Sequence, residues 1–485
     1  MNRKAVILAC VLSFVTVMSG MIGLVRTVAA TPRQAGQALS GTIHVYDFLG
    51  LSTIPAGKKA IAEYQHMHPG VTIKIDPLSP TYPTQYQESV LQAGTASDVF
   101  ASVWVQQEFP DVPKGYWTDL TPYLNQPNPY VKGNKRWIDT FVPQIVQQTA
   151  FLGHYYQVSP NAQDALFFYN KDIFAKAGIT SPPATWAQLI DDSAKIKKAG
   201  FIPDLYYLGD TYGLAENSSI VSLFENQVMS KTLHQLDTNH DGIVDLRELV
   251  IGIKNRTFSP MNADYQEAWK LLKQWSQYWQ PNAIANPGTV NVAQVKSMAQ
   301  WLRGQVGMTY VGTVQAKIAL STVKVPFKWG VFKFPQVTPA SSNFATPGVK
   351  GVGIWGADNG YPWAVPAVSA KRGTTQVAVD FIRWFTAPQN NVPISLQNGV
   401  IPITKGWAPD SSDQLNTFAY DLINHPTMQF AAEVALGLQW IDERVKVQQQ
   451  YITGAETLSQ AMADMQRYTN QAADNAITLY HLSIK

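Results

Sequence analysis

In the first part of the chain, stretches with the apolar period of a strand take turns with stretches that have the apolar period of a helix. In GTIHVYDFLG, Ile43 and Val45 alternate with polar neighbours, which predicts a strand. The next stretch, IPAGKKAIAEYQHMHPG, has helical spacing and ends at Pro69 and Gly70, and VTIKI then alternates again. A strand–helix–strand unit predicts a parallel sheet with a right-handed crossover.

The same pattern repeats further along. A predicted helix at 86–93 leads through GTASD to the strand VFASVW. A third unit runs from the strand LFFYN through the helix KDIFAKAG to a helix at 186–199. Helices are also predicted at 265–278, 376–385 and 457–476, and a buried strand in VGMTYVG. The predicted fold class is therefore α/β.

Composition narrows the possible ligands. Charged residues make up only 15% of the 485 positions, whereas 14 Trp, 21 Tyr and 20 Phe are present. This balance favours a ligand recognised by aromatic faces and hydrogen bonds. Three basic residues and no acidic one lie in the first 30 positions, so the remainder carries 34 of each sign. We therefore predict no nucleic-acid partner and no binding to an anionic membrane surface.

The N-terminus has the features of an export signal. Arg3 and Lys4 precede an apolar run at 5–25, and small residues at 28–30 offer a cleavage site. The run is long for a signal, so an uncleaved anchor stays an alternative, and a lipoprotein at Cys10 is a weaker one. Cys10 is the only cysteine, so the exported part, which begins with a linker at 31–40, has no disulfides.

The segment DTNHDGIVDLRE, at 237–248, matches a calcium-binding EF-hand loop at every constrained position. Gly242 takes the sharp turn, Val244 is apolar, and a helical pattern follows. The predicted ligands are Asp237, Asn239, Asp241, the carbonyl of Ile243, Asp245 and Glu248. Because sensors usually pair such loops and we find one, we expect a structural Ca²⁺ site.

Five segments, in their order, resemble the sugar-binding branch of the extracellular solute-binding proteins of ABC importers (maltose-binding-protein-like). The most recognisable is DALFFYNKDIFAKAGITSPPATWAQLIDDSAKIKKAG. GTASDVFASVW is similar to that family's Pro-Asp-Val strand, although Ser97 replaces the proline. The others are WLRGQVGMTYVGTVQAKI, WAVPAVSAKRGTTQVAVDFIRWFTAPQNNVPISLQNGVIPI and TLSQAMADMQRYTNQA.

The resemblance implies two α/β lobes with a ligand cleft between them and closure by a hinge motion. It places lobe one at 41–160 and 364–403, and lobe two at 161–363 and 404–485. The calcium loop would then be an insertion that rigidifies lobe two, away from the cleft. The expected protein is a monomer, periplasmic or on the cell surface, that captures a carbohydrate, in particular an oligosaccharide, for an ABC permease.

Candidate ligand-binding residues lie where predicted strands end or the chain crosses between lobes, since ligands of α/β sheets bind at the carboxyl ends of strands. Aromatic rings suit the apolar face of a sugar, and carboxylates and amides suit its hydroxyls. The candidates are Tyr46, Asp47, Phe48, Trp104, Asn161, Asp164, Tyr310, Trp355, Asp358 and Trp363. Aromatic residues at these places are often core, Asp47 can cap the first helix, and Asn161 and Asp164 can stabilise a turn.

No catalytic motif is present: the sequence has no His-Glu-x-x-His, Gly-x-Ser-x-Gly or Gly-x-x-x-x-Gly-Lys segment. We therefore expect a binding protein and not an enzyme. Three alternatives stay open. They are a secreted carbohydrate-active enzyme with two carboxylates, a binding protein for another solute such as a polyamine, and a calcium-dependent interaction protein.

Overall fold

The structure is a computed structural model. It describes residues 38–47, 50–77, 83–101, 109–162, 165–206, 208, 215–281, 283–284, 299–313, 316–317, 320, 323–346, 362–410, 417, 420 and 432–484. All of them belong to one compact unit, Ala38–Lys485. The predicted signal or anchor segment lies outside the described residues. Among those that are described, no helix has both the length and the hydropathy needed to cross a membrane.

Strands and helices alternate through the first half of this unit, and helices dominate its end. The strands are β1 Gly41–Asp47, β2 Val71–Asp76, β3 Val99–Ala101, β4 Ala150–Phe151, β5 His154–Tyr155, β6 Gln157–Val158, β7 Asn161–Ala162, β8 Ala165–Asn170, β9 Ile202–Leu205, β10 Val306–Gly312, β11 Trp329–Phe332, β12 Trp363–Ala364 and β13 Ile401–Pro402. The helices are α1 Pro55–Met67, α2 Pro83–Ala93, α3 Thr121–Leu124, α4 Pro143–Val146, α5 Lys171–Lys176, α6 Trp186–Lys198, α7 Ala215–Val228, α8 Ser230–Leu236, α9 Leu246–Lys254, α10 Ala263–Ser276, α11 Val368–Arg372, α12 Thr375–Phe385, α13 Pro388–Asn398, α14 Ala432–Thr453 and α15 Leu458–Tyr480.

The first sheet has the strand order β2-β1-β3-β12-β6. Strand β1 runs parallel to β2 and to β3, with Tyr46 paired to Asp76 and to Phe100. The parallel pairing predicted from the first two strand–helix–strand units is thus confirmed. Strand β12 returns from later in the chain and lies antiparallel to both β3 and β6.

The second sheet has the order β11-β8-β10-β9 and is mixed. The sequence predicted a further parallel crossover after LFFYN, and this prediction is wrong. Strand β8 lies antiparallel to β10 and β11, whereas β9 is parallel to β10. Two helices, α5 and α6, separate β8 from β9. Each helix reverses the direction of the chain, so the strand after a pair of helices runs opposite to the strand before it.

Helix α1 packs against α12 beside the first sheet. The Trp384 indole donates to the Ala60 carbonyl at 2.8 Å, and the Tyr64 hydroxyl donates to Asp380 at 3.0 Å. The second sheet packs on a larger aromatic core in which Trp186 meets Phe224 edge-on at 4.7 Å. Helix α6 begins at a capping box in which Thr185 and Gln188 exchange side-chain to backbone hydrogen bonds. Strand β8 is buried on both faces, with Phe167 in this core and Leu166 and Phe168 in a second cluster on the other face.

A short ribbon connects the two sheets. Strand β7, which lies between β6 and β8 in the chain, pairs with β13 through Asn161–Pro402 and Ala162–Ile401. The first sheet takes its strands from before this ribbon and from 363–364, and the second takes its strands from 165–332. This division of the strands between two sheets agrees with the predicted lobes. The lobe boundaries themselves stay a prediction.

Candidate ligand-binding cleft

The carboxyl ends of three strands lie along one edge of the first sheet. Strand β3 ends at Ala101 and β6 ends at Val158, and both residues pair with Trp363, the first residue of β12. Strand β1 ends at the same edge, since Asp47 pairs with Ala101. Ligands of α/β sheets bind in the crevice beyond the carboxyl ends of strands. This edge is therefore the candidate cleft.

Trp363 lies at this edge between Ala101 of β3 and Val158 of β6. Its ring packs against Phe385 at 5.3 Å and Phe381 at 6.2 Å, both on α12. The residue is only 3% exposed. In this conformation Trp363 therefore contacts helix α12 more than solvent, and its role as a sugar platform stays a prediction.

Tyr46 also lies near the edge but is part of the core. Its ring stacks on Tyr86 at 4.8 Å and contacts Phe100 at 5.0 Å. It is 2% exposed. The hydrophobic cluster around Tyr46 joins α2 to the sheet. Tyr46 is therefore a core residue in this structure, which is the alternative to ligand binding that the sequence left open.

Asp47 closes the turn that precedes α1. Its two carboxylate oxygens accept hydrogen bonds of 2.8 Å from the backbone N–H groups of Leu51 and Ser52. The helix itself begins after Ile54, which makes no side-chain cap. Asp47 therefore stabilises the approach to the helix and does not cap it.

The remaining described candidates are buried at different places. Asn161 lies in the connecting ribbon, where its amide donates to the Ser395 hydroxyl at 3.3 Å. Tyr310 lies in the second sheet, with its ring 5.0 Å from Phe167 and 5.7 Å from Phe334. The structure thus brings Tyr46, Asp47 and Trp363 to one sheet edge, and it places Tyr310 in the core of the other sheet.

Half of the predicted ligand-binding residues cannot be placed. Phe48, Trp104, Asp164, Trp355 and Asp358 lie outside the described residues. Their assignment to the cleft stays a prediction.

Gln157 is a candidate that sequence analysis missed. It lies in β6, pairs with Ala364 beside Trp363, and is fully buried. Neither its amide nitrogen nor its oxygen has a hydrogen-bond partner in the part of the chain that the structure describes. Buried amides are nearly always paired, so an unpaired one calls for a ligand or a water. Gln448 on α14 shares this property, and Gln157 differs from it by lying beside Trp363. No sequence motif marks Gln157, which follows two tyrosines and precedes Val158.

The predicted calcium loop folds as a turn between α8 and α9. Asp237 accepts hydrogen bonds from the N–H groups of Asp241 and Gly242 at 3.1 and 3.0 Å. Gly242 has a φ of 87°, which a residue with a side chain rarely adopts. Glu248 reaches back across the loop, where its carboxylate accepts from Thr238 N–H at 2.7 Å and Asp245 N–H at 3.2 Å.

The loop therefore has the expected turn and the expected oxygen-bearing residues, but its carboxylates are held by its own N–H groups. Across the described ranges, no group of three or more His, Cys, Asp or Glu side chains is arranged to hold a metal ion. The calcium assignment stays a prediction, and so do the ligand roles of Asn239, Asp241, Ile243 and Asp245.

Comparisons with known proteins agree on one kind of protein. The family model described as bacterial extracellular solute-binding protein matches residues 52–392. A putative binding protein of Brucella abortus (strain 2308) is 31% identical over 152 residues, which cover 31% of this chain and 32% of that protein. The chain thus matches about a third of the length of such curated relatives.

Solved structures match over a longer span. UgpB from Mycobacterium tuberculosis, solved with glycerophosphocholine, has a TM-score of 0.65 and 17% identity, covering 90% of this chain and all of that one. The sugar-binding protein MalE from Xanthomonas citri has a TM-score of 0.64 and 15% identity, covering 91% of this chain and all of that one. The periplasmic-binding-protein-like fold is therefore confirmed.

Proposed function

The chain belongs to the bacterial extracellular solute-binding protein family, and from that premise we propose that it captures a carbohydrate outside the cytoplasmic membrane. An oligosaccharide is the favoured ligand, and delivery to the permease of an ABC importer is the favoured outcome. Its binding site is the cleft at the edge of the first sheet where Trp363 begins β12.

The observation that supports this function best is the pairing of Gln157 and Ala364 beside Trp363. A buried amide with both polar atoms unpaired suits a ligand that supplies hydroxyl groups, since each hydroxyl can donate and accept. A tryptophan at the same edge can cover the apolar face of a sugar ring once the cleft closes. Few other classes of ligand call for both a hydrogen-bonding amide and an aromatic ring.

The similar structures name two kinds of ligand. MalE of Xanthomonas citri is a sugar-binding protein, and UgpB of Mycobacterium tuberculosis was solved with glycerophosphocholine. A phosphodiester of a polyol is therefore the second candidate for this chain, and a polyamine is a third. The 15% content of charged residues and the many aromatic residues favour the neutral sugar.

We assign no reaction to the cleft. The family is one of binding proteins, and the ligand is expected to leave unchanged. A secreted carbohydrate-active enzyme is the opposing hypothesis, and it predicts turnover of the same sugar.

Calcium is proposed as a structural ion held at 237–248. The residue types and their spacing in the sequence match the ion: five side chains with oxygen atoms and one backbone carbonyl stand at the EF-hand spacing around Gly242. The four carboxylates of Asp237, Asp241, Asp245 and Glu248 would give the cation a strongly negative site. Bound there, it would tie the end of α8 to the start of α9.

The rest of the proposal concerns the whole chain. It is exported, through a signal that is either cleaved or kept as an anchor, and acts as a monomer. Lobes at 41–160 with 364–403 and at 161–363 with 404–485 close on the ligand by a hinge at the β7–β13 ribbon.

A thermal-shift screen in excess calcium tests the function. The panel contains mono- and oligosaccharides, sn-glycerol 3-phosphate, glycerophosphocholine and putrescine. A ligand at a hundred times its Kd adds about 2.7 kcal/mol to the stability of the folded state. We expect a selective rise in Tm with one class of oligosaccharide. A rise with a charged solute alone would overturn the carbohydrate assignment and keep the family.

A further inference from the structure

A polar cavity of about 530 Å³ lies on the first sheet, away from the candidate cleft. Gly41 and Thr42, which open β1, line it together with Asp98, which directly precedes β3. The cleft lies at the opposite ends of these two strands. Asp76, the last residue of β2, also lines the cavity, but Tyr46, Asp47 and Trp363 do not. The cavity is therefore distinct from the candidate cleft as those three residues define it.

Two carboxylates hold the walls of this cavity in place. Asp98, almost fully buried, accepts hydrogen bonds from His44 N–H at 2.9 Å and from the Thr374 hydroxyl at 2.6 Å, and it contacts Arg372 Nη1 at 3.3 Å. Asp76 accepts from the Ser97 hydroxyl at 2.5 Å and contacts His44 Nδ1 at 2.8 Å. All four carboxylate oxygens are therefore already engaged by protein groups.

Two basic side chains that line the cavity keep polar atoms outside these contacts. The His44 side chain is 44% exposed, and Asp76 contacts its ring through Nδ1 and not through Nε2. The Arg372 side chain is 35% exposed and uses only Nη1 in the hydrogen bonds seen here, to Ala96 O and Asp98. A carboxylate thus contacts each of the two basic side chains, Asp76 for His44 and Asp98 for Arg372. These contacts orient both side chains before a ligand binds.

The chemistry of the lining selects the ligand class. Among the described residues that line the cavity none is Phe, Tyr or Trp, so it offers no platform for a stacked ring. The two carboxylates outnumber the one guanidinium among the lining residues, which disfavours a phosphate. A cationic amine would have to share carboxylate oxygens that already accept hydrogen bonds from protein groups. Mixed donors and acceptors, with hydroxyls from Thr42 and Ser97, match a neutral polyhydroxylated molecule.

We propose that this cavity is a second binding site, on the first sheet alone, for a small neutral polyol of the size of a mono- or disaccharide. Its volume falls within the range of small-molecule pockets. Arg372 and His44 are the residues that bind hydroxyl groups, and Asp98 and Asp76 position them. The site does not depend on what the cleft binds.

Titration of the full-length chain with myo-inositol, trehalose and glycerol tests the site, with inorganic phosphate and putrescine as charged comparators. Thr42→Trp fills the cavity from an exposed strand position, and Thr72→Trp is its matched control. Thr72 is the register partner of Thr42 on β2, is also exposed, and does not line the cavity. Arg372→Met removes the guanidinium, and Arg467→Met, on the exposed surface of α15, controls for loss of an arginine.

We expect one of the polyols to bind and to shift the His44 ring resonances. Thr42→Trp and Arg372→Met should each weaken this binding by about tenfold or more, the scale of a lost charge-assisted hydrogen bond, while the two controls leave it unchanged. Absence of polyol binding, binding that survives Thr42→Trp, or binding of phosphate or putrescine alone would each overturn the proposal. Because Thr42→Trp leaves the cleft intact, failure here is distinguishable from failure of carbohydrate capture.

Discussion

The amide of Gln147 donates a hydrogen bond of 2.7 Å to Oδ2 of Asp241. Gln147 belongs to the part of the chain predicted as lobe one, and Asp241 is the fifth residue of the predicted calcium loop. Nearby, burial raises the pKa of Tyr155, and the charge of Asp241 raises it further. The loop, which sequence analysis placed within lobe two and away from the cleft, therefore also touches the segment that precedes the connecting ribbon.

Removal of calcium is expected to destabilise the chain. Without the cation, the four carboxylates of the loop repel one another and the α8–α9 turn loses its support. At a hundred times its Kd, calcium should contribute about 2.7 kcal/mol, seen as a fall in Tm on addition of a chelator. Glu248→Gln should abolish this difference.

Glu443→Gln is the matched control, since Glu443 is a surface residue that pairs with Lys446. It should keep the full response to calcium. An identical Tm with calcium and with chelator in the unmodified chain would contradict the calcium proposal.

Asp204 should make the folded chain lose stability as the pH rises. Burial raises its pKa to about 7, against an opposing hydrogen bond from Ser193 at 2.8 Å. The folded chain then holds this proton more tightly than the unfolded chain. The stability is therefore fully present below pH about 4 and is lost as the pH rises towards 7 and above.

Urea unfolding at pH 4.5 and pH 8 measures this effect. Relative to Asp204→Asn, the unmodified chain should lose on the order of 3 kcal/mol between the two values, from a shift of about three pKa units. Asp191→Asn, at an exposed residue of α6, should follow the unmodified chain. Equal pH dependence of the unmodified chain and Asp204→Asn would show that Asp204 is not responsible.

A buried ion pair joins α14 to α7. Arg444 Nη2 donates to Glu225 Oε1 at 2.9 Å, and both side chains are fully buried. Arg444→Met leaves the carboxylate of Glu225 without this partner in the core. The free energy of unfolding should fall by about 3–5 kcal/mol, the cost of breaking one side of a buried pair.

The double variant Arg444→Met with Glu225→Gln should recover part of that loss, because it removes the buried charge. Urea unfolding of the single and double variants tests this. A double variant less stable than the single one by the full cost of a second deletion would argue against direct coupling.

Several of the longer secondary-structure elements could be predicted from the sequence, and their arrangement only in part. Strands β1, β2 and β8 and helices α1, α6 and α12 follow directly from apolar spacing. The antiparallel setting of β8 did not follow, because period gives the type of an element and not its direction. The direction depended on the pair of helices α5 and α6.

The candidate site was harder to predict for a related reason. Tyr46 was predicted to follow a strand and lies within β1, and Trp363, predicted beside the second lobe crossing, begins β12. The side of the sheet on which each ring packs depends on partners distant in sequence, Tyr86 and Phe385. Gln157 became a candidate only through its lack of hydrogen-bond partners, which is a property of the folded chain.

Gln157→Leu should weaken carbohydrate binding while it preserves the fold. Leucine fills a similar volume and removes two polar atoms that have no partner in the described structure, so stability should be unchanged or slightly higher. A sugar that uses the amide should bind about tenfold or more weakly, measured by titration calorimetry. Gln449→Leu on α14 is the control: Gln449 is half-buried, and its amide donates to the Leu208 carbonyl. That variant should lose stability and keep sugar affinity.

The most direct test of the central claim is titration calorimetry with the oligosaccharide selected by the thermal-shift screen, followed by mass spectrometry of the recovered sugar. The account predicts saturable binding in the cleft, weakened by Gln157→Leu, with the sugar recovered intact. Recovery of a shortened or otherwise altered sugar would contradict it, because the chain would then be an enzyme and not a carrier of its ligand.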